Sequence, residues 1–212
     1  MAVWVLPANY LLGSLPCGLV VTWLFRGVDL RKYGSGNIGA TNVSRVAGFF
    51  PALLAGVGDA LKGFFGAYLA LRFLGSSPVL FFLATFLVVV GHDWSLFLRF
   101  RGGKGVATTL GVLFYLSWQA ALLCFLVWVV MVAITRYSSL GSLSGALAMP
   151  ILLFLFRCPQ AFVWWGIFAA ALVFLRHKDN IRRLVHGQEL KIGERRSEGH
   201  GGEHPGVERS EF

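Results

Sequence analysis

Charge is scarce in this 212-residue chain. Only 14% of its residues are Asp, Glu, Lys or Arg, against 56% hydrophobic, and the mean hydropathy is +0.68. That balance excludes an ordinary water-soluble domain, and equally a secreted, collagenous or mainly disordered chain. Cysteine is almost missing: Cys17, Cys124 and Cys158 are odd in number, far apart and set in or beside apolar stretches. They form neither a disulfide framework nor a zinc-binding spacing, and no metal site or cofactor is expected. A basic stretch ahead of the first apolar run is missing too, since that run begins at Val3. It is therefore read as a first transmembrane helix that stays attached, not as a cleaved leader.

What is abundant points to a bilayer. Nineteen Phe and seven Trp suit lipid-facing surfaces, and 26 Gly suit close helix packing and tight loops. The expected fold is all-α and polytopic. A crossing needs about 20 apolar residues, and Val3 to Phe25, Phe49 to Leu74 and Pro78 to Leu98 each qualify. Val106 to Ile134 is too long for one upright span, and its only polar break lies at Ser117 to Gln119. Divided there, and joined by Leu140 to Phe156 and Ala161 to Leu175, it brings the expected total to about seven.

Sidedness follows from the Lys and Arg residues, which concentrate in cytoplasmic loops. Arg26, Arg31, Lys32 and Arg45 follow the first span; Arg99, Arg101 and Lys104 the third; Arg136 the fifth; and Arg176, Lys178, Arg182 and Arg183 the seventh. One assignment satisfies all of them: N-terminus outside, C-terminus cytoplasmic. The net charge of +9 is thus accounted for by membrane orientation and a small anionic substrate, without nucleic acid. Residues 1–192 are expected to form the membrane-embedded domain. Residues 193–212, poor in apolar side chains, read as a disordered tail or an appended remnant.

The cytoplasmic loops are where the chemistry lies. Gly34 to Arg45 mixes glycines, which permit close backbone approach, with the donors Ser35, Asn37, Thr41 and Asn42 and the charge of Arg45. That is the makeup of an anion site more than of a flexible linker. Gly102-Gly103-Lys104-Gly105 immediately precedes an apolar helix, whose free N–H groups and positive end favour a phosphate. It is not a nucleotide-binding Walker loop, because Gly105 follows Lys104 where Ser or Thr is required. His92 and Asp93 end the third span, and His92 is either a functional group or a side chain that has reached interfacial water. Asp59 and Lys62, three residues apart on one helix face, are read as mutually neutralising. Ser142 and Ser144 are either helix caps or phosphate donors. His177 and Asn180, again three apart, share a face and can reach one substrate.

In combination, Gly34 to Arg45, Gly91 to Thr109, Arg136 to Gly145 and His177 to Asn180 resemble the bacterial acyl-phosphate-dependent glycerol-3-phosphate acyltransferases. The resemblance runs from the first span to about Leu184. Ile38 and Trp94 depart from the proline or other aromatic common there, which alters loop rigidity without removing a reacting group. The resemblance implies transfer of a fatty acyl group from acyl phosphate to the 1-hydroxyl of sn-glycerol 3-phosphate. The products are lysophosphatidic acid and inorganic phosphate, the first step of phospholipid synthesis at a bacterial inner membrane, by a monomer whose active site faces the cytoplasm.

Two phosphorylated reactants need two phosphate sites. The resemblance implies amides near Ser35 and at Gly102, Gly103 and Gly105 for acyl phosphate, and Arg45, Lys104, Ser142, His177 and Asn180 for glycerol 3-phosphate. It also carries Gly36, Asn37, Thr41, Asn42 and Thr108 to substrate binding, and Ser35, His92, Lys104 and His177 to catalysis. The proton of the attacking hydroxyl can pass to His92, His177 or a substrate phosphate oxygen. A His-x-x-x-x-Asp dyad is absent around His92, where Phe97 stands five positions on, which favours acyl phosphate over an acyl thioester. The alternative from another class is a membrane transporter or channel for a small anion, which also uses intramembrane charges such as Asp59 and Lys62.

Overall fold

The computed structural model describes residues 2–75 and 77–194, so most of the segment read as a tail lies outside the described residues. Within them every regular element is helical: α1 (Val5–Ser14), α2 (Cys17–Arg26), α3 (Ala40–Ala47), α4 (Phe49–Leu74), α5 (Pro78–Asp93), α6 (Val106–Leu116), α7 (Trp118–Thr135), α8 (Ser138–Leu155), α9 (Gln160–Arg176) and α10 (Lys178–Val185). Two short 3-10 turns, Leu30–Lys32 and Leu96–Leu98, lie in the loops that follow α2 and α5. The all-α membrane architecture expected from composition is the one observed. Large apolar side chains such as Leu24, Val79, Ile134 and Phe154 face outward, as a lipid-facing surface requires.

Five stretches are long and apolar enough to cross a membrane: Val5–Arg26, Phe49–Leu74, Pro78–Leu98, Trp118–Thr135 and Ser138–Leu155. Gln160–Arg176 with Lys178–Val185, bent by 60°, makes a sixth if the bent pair is counted as one span. The long run does divide at Ser117, whose extended backbone ends α6 and whose hydroxyl accepts from Ala120 N–H to begin α7. With 11 residues, α6 is about 16 Å long, roughly half the hydrocarbon thickness.

That short helix matters for the site, because the glycine loop runs directly into its N-terminus at Gly105. Close packing on α4 holds it in place. A side chain at Gly111 would collide with the Ala60 carbonyl, and one at Gly63 with the Thr108 carbonyl. Only hydrogen in place of Cβ lets the two backbones approach this far. Asn9 on α1 donates to the carbonyls of Gly66 on α4 and Ala84 on α5, both at 2.9 Å, and so ties three helices together.

Pro16 breaks the first apolar stretch. Leu15, preceding it, is pushed to an extended ψ of 121°, as residues before proline are. Its carbonyl is thereby freed from the helix and accepts from the Lys62 ammonium at 2.9 Å.

Candidate active site

The loop between α2 and α3 is organised by Asn42. Its Nδ2 donates to the carbonyls of Asn37 and Tyr33 at 2.8 and 3.1 Å, and its Oδ1 accepts from Ser35 N–H at 2.9 Å. Asn42 is therefore the loop's internal tie, only 1% exposed. Asn37 Oδ1 accepts from Gly39 N–H, and Thr41 shares a 2.8 Å hydroxyl bond with Ser138 at the start of α8. The result sets Ser35 and Arg45 toward the space beneath α8 and α9.

The glycine loop folds back on the end of α5. Gly103 N–H donates to the His92 carbonyl at 2.9 Å and Gly102 N–H to that of Asp93 at 3.2 Å. These two amides are spent on their own chain, because the last carbonyls of α5 lack helical partners. Among the described residues Gly105, Val106 and Ala107 N–H have no hydrogen-bond partner, so the donors open to an anion are those at the N-terminus of α6. Arg176, at the end of α9, fastens the loop from the other side. It donates to the Gly103 carbonyl at 2.7 and 3.2 Å and lies 4.8 Å over the Trp94 ring.

These loops enclose a cavity of about 760 Å³. Its polar lining comprises Ser35, Asn37, Thr41, Asn42, Arg45, His92, Lys104, Gly105, Ser142, His177 and Asn180, and its apolar lining includes Phe49, Leu53, Leu110, Phe125, Trp128 and Met149. A second, more polar cavity of about 640 Å³ adjoins it through Ser35, Asn37, Lys104, Asn180 and Arg183, and is also lined by Gly36, Gly102 and Arg176. Most of the residues singled out by sequence thus meet at one place. Ser144, Gly103 and Thr108 stand off both walls: Gly103 packs on the His92 ring, and Thr108 is fully buried with its carbonyl against α4.

Lys104 sits where the two cavities meet and donates to Asn180 Oδ1. Burial holds its ammonium down to about 8. The Glu189 carboxylate opposes that effect, and the Arg183 and Arg176 guanidinia add to it. Burial also lowers Arg45, whose Nε is buried without a hydrogen-bond partner among the described residues. An unspent guanidinium donor is costly unless something meets it. His177 donates through Nδ1 to the Val173 carbonyl at 2.8 Å, which leaves Nε2 as the free lone pair of a neutral ring.

The wall contributed by the chain after α10 was not foreseen. Gly187, with φ of 67°, ends α10 and turns the chain back over the cavity. Glu189 then accepts from Asn180 at 2.5 Å and from Arg183 at 2.7 Å. Burial disfavours its charge, but those hydrogen bonds prevail and hold its carboxyl below the usual range. Arg45 reaches the Leu190 carbonyl at 3.2 Å, and Arg136 and Ile192 exchange two backbone-carbonyl bonds at 2.8 and 3.1 Å. In the sequence Arg183 counts only as one of the charges that set sidedness, and Glu189 carries no signal of its own. The left-handed glycine before it was the only local signal available.

Comparison with known proteins gives one consistent result. Residues 3–187 match the family model for glycerol-3-phosphate acyltransferase. A glycerol-3-phosphate acyltransferase of Carboxydothermus hydrogenoformans is 44% identical over 188 residues, covering 89% of this chain and 95% of the relative. One from Thermus thermophilus is 44% identical over 194 residues, covering 92% and 96%. The fold matches crystal structures of PlsY (YgiH), an integral membrane glycerol 3-phosphate acyltransferase. Its glycerol 3-phosphate form gives a TM-score of 0.84 at 40% identity, covering 90% of this chain and 94% of that one. Its lysophosphatidic acid form gives 0.83 at 39%.

Proposed function

The chain belongs to the glycerol-3-phosphate acyltransferase family, and we propose that it moves a fatty acyl group from acyl phosphate to the 1-hydroxyl of glycerol 3-phosphate. It is a multi-pass membrane acyltransferase; the donor, the residue roles and the sidedness are the proposal. One observation carries it: Lys104 and Arg45, the second with a guanidinium N–H that has no partner among the described residues, line a cavity whose wall is otherwise largely apolar. A phosphorylated acyl chain needs that pairing of cation and hydrocarbon surface.

The free amides at the start of α6 and Lys104 would hold the phosphate of the donor, and the acyl chain would lie along Leu110, Phe125 and Trp128. Arg45 and Asn180 would take the phosphate of the acceptor. Attack of the 1-hydroxyl on the carbonyl forms the ester bond and breaks the carbonyl–phosphate bond, and inorganic phosphate leaves. Phosphate is a good leaving group, so positioning and charge neutralisation do most of the work. The hydroxyl proton has two acceptors on hand, His177 Nε2 and the substrates' own phosphate oxygens.

The positive loops support a cavity on the cytoplasmic side of a bacterial inner membrane, with the N-terminus outside, about seven crossings if α6 counts as one, and a monomer as the working unit. Residues 1–192 would be the catalytic unit. Purified protein in lipid should release phosphate from acyl phosphate only when glycerol 3-phosphate is added, and should ignore acyl thioester. Movement of an anion across vesicles without phosphate release would replace this reading with a transporter.

A further inference from the structure

Against the glycine loop, three ionisable side chains are enclosed between α4 and α5. Lys62 Nζ lies 2.9 Å from Asp59 Oδ1 and 2.8 Å from His92 Nδ1, and His92 Nδ1 lies 3.5 Å from the same carboxylate oxygen. None of the three residues is more than 4% exposed. A pair that only neutralised itself would not need a histidine bonded to its lysine at the cavity wall.

An ammonium has three hydrogens and accepts none. Lys62 donates to the Leu15 carbonyl that Pro16 frees and to His92 Nδ1, while the Asp59 carboxylate lies beside it as an ion-pair partner at 2.9 Å. Nδ1 therefore accepts, and the ring proton belongs on Nε2. A protonated imidazole would turn an N–H toward the ammonium at 2.8 Å, which the geometry disfavours. The Nε2 edge lies against Gly103, where a side-chain carbon would collide with it. Among the described residues Nε2 has no hydrogen-bond partner, and His92 shares the cavity wall with Lys104. The other ionisable groups around the cluster are Cys17 on α2, Asp93 on the same helix and Arg176 on α9.

We propose that Asp59 and Lys62 are positioning residues that lock His92 as a neutral ring with its proton on Nε2, a fixed donor aimed past Gly103 at an oxygen of the acyl donor. As the hydroxyl adds, the carbonyl oxygen gains negative charge. A donor already oriented in a site shielded from water stabilises that charge without having to reorganise. With Nδ1 engaged by Lys62, His92 is not the acceptor of the hydroxyl proton. The identity of the target oxygen rests on the acyl-transfer reading above; the lock does not.

The test is 15N NMR of the full chain in lipid nanodiscs with labelled histidine, the His92 signals being those lost in His92→Gln. The wild type should show an unprotonated Nδ1 and a protonated Nε2. The double variant Asp59→Asn/Lys62→Met leaves no lone buried ion, and in it that signature should give way to a mixture of tautomers. With acyl phosphate as substrate, His92→Leu should lower kcat by about 10- to 100-fold with KM for glycerol 3-phosphate unchanged. His92→Gln, whose amide N–H reaches the same place, should recover much of that loss. A proton on Nδ1, a charged ring, or an unchanged signature in the double variant overturns the lock. Full kcat in His92→Leu overturns the donor role. A locked ring in a protein that does not use acyl phosphate overturns the substrate reading alone.

Discussion

Arg176 grips Gly103: two guanidinium nitrogens donate to the one carbonyl, at 2.7 and 3.2 Å. The contact joins the last residue of α9 to the middle of the glycine loop. It fixes the loop while the same guanidinium stacks on Trp94. Because Gly102 and Gly103 also donate backward to α5, the loop is held on both sides and only the amides from α6 onward face the cavity.

Arg176→Lys removes the planar fork but keeps the charge. It should lower kcat/KM for acyl phosphate by about tenfold, and Arg176→Leu by more. Equal rates in wild type and both variants, measured at saturating glycerol 3-phosphate, would show that the loop holds its shape without this grip.

Lys104→Ala should abolish most turnover, by about 10²-fold or more, since one preorganised charge at the reacting phosphate is worth that much. A pH profile separates charge from shape. Below about 8 the side chain is an ammonium and binds phosphate; above it the free amine does not. The activity of the free enzyme should therefore decline as pH rises through about 8, whereas any activity left in Lys104→Arg should persist to higher pH.

Arg45→Ala should raise KM for glycerol 3-phosphate by about 10- to 100-fold with a smaller change in kcat, as expected when a charge-assisted contact present in both ground and transition state is lost. Steady-state kinetics with each substrate varied in turn will show it. A matching rise in KM for acyl phosphate would instead put Arg45 at the donor's end.

Glu189→Ala leaves Asn180 and Arg183 without their buried acceptor. It should cost about 1–3 kcal/mol of stability, read as a lower unfolding temperature in detergent. Glu189→Gln should recover part of that, because its amide oxygen still accepts one bond.

Much of the site was legible in local patterns. Spacing placed His177 and Asn180 on one face and paired Asp59 with Lys62; the first two line the same cavity, and the second two lie 2.9 Å apart. The Lys104 loop ahead of an apolar helix was equally plain, because a helix N-terminus and its glycines are written within a few residues. Arg45 to Leu190, 145 residues apart, and Arg176 to Gly103, 73 apart, have no local trace. Nor does the half-length of α6 as a crossing: composition marks it apolar, but depth depends on the neighbours that hold it.

By itself the sequence determined that the chain is helical, lies in a membrane and carries its donors and cations in short loops between apolar runs. Those properties follow from hydropathy, charge placement and backbone chemistry, which act over a few residues at a time. Tertiary packing alone decided which N–H groups remain open, which carbonyl Lys62 meets, and that the chain after Gly187 returns across the cavity. Each of these depends on hydrogen bonds between distant segments, and such bonds take shape only when glycine-to-backbone contacts such as Gly111 on Ala60 bring the helices close enough to form them.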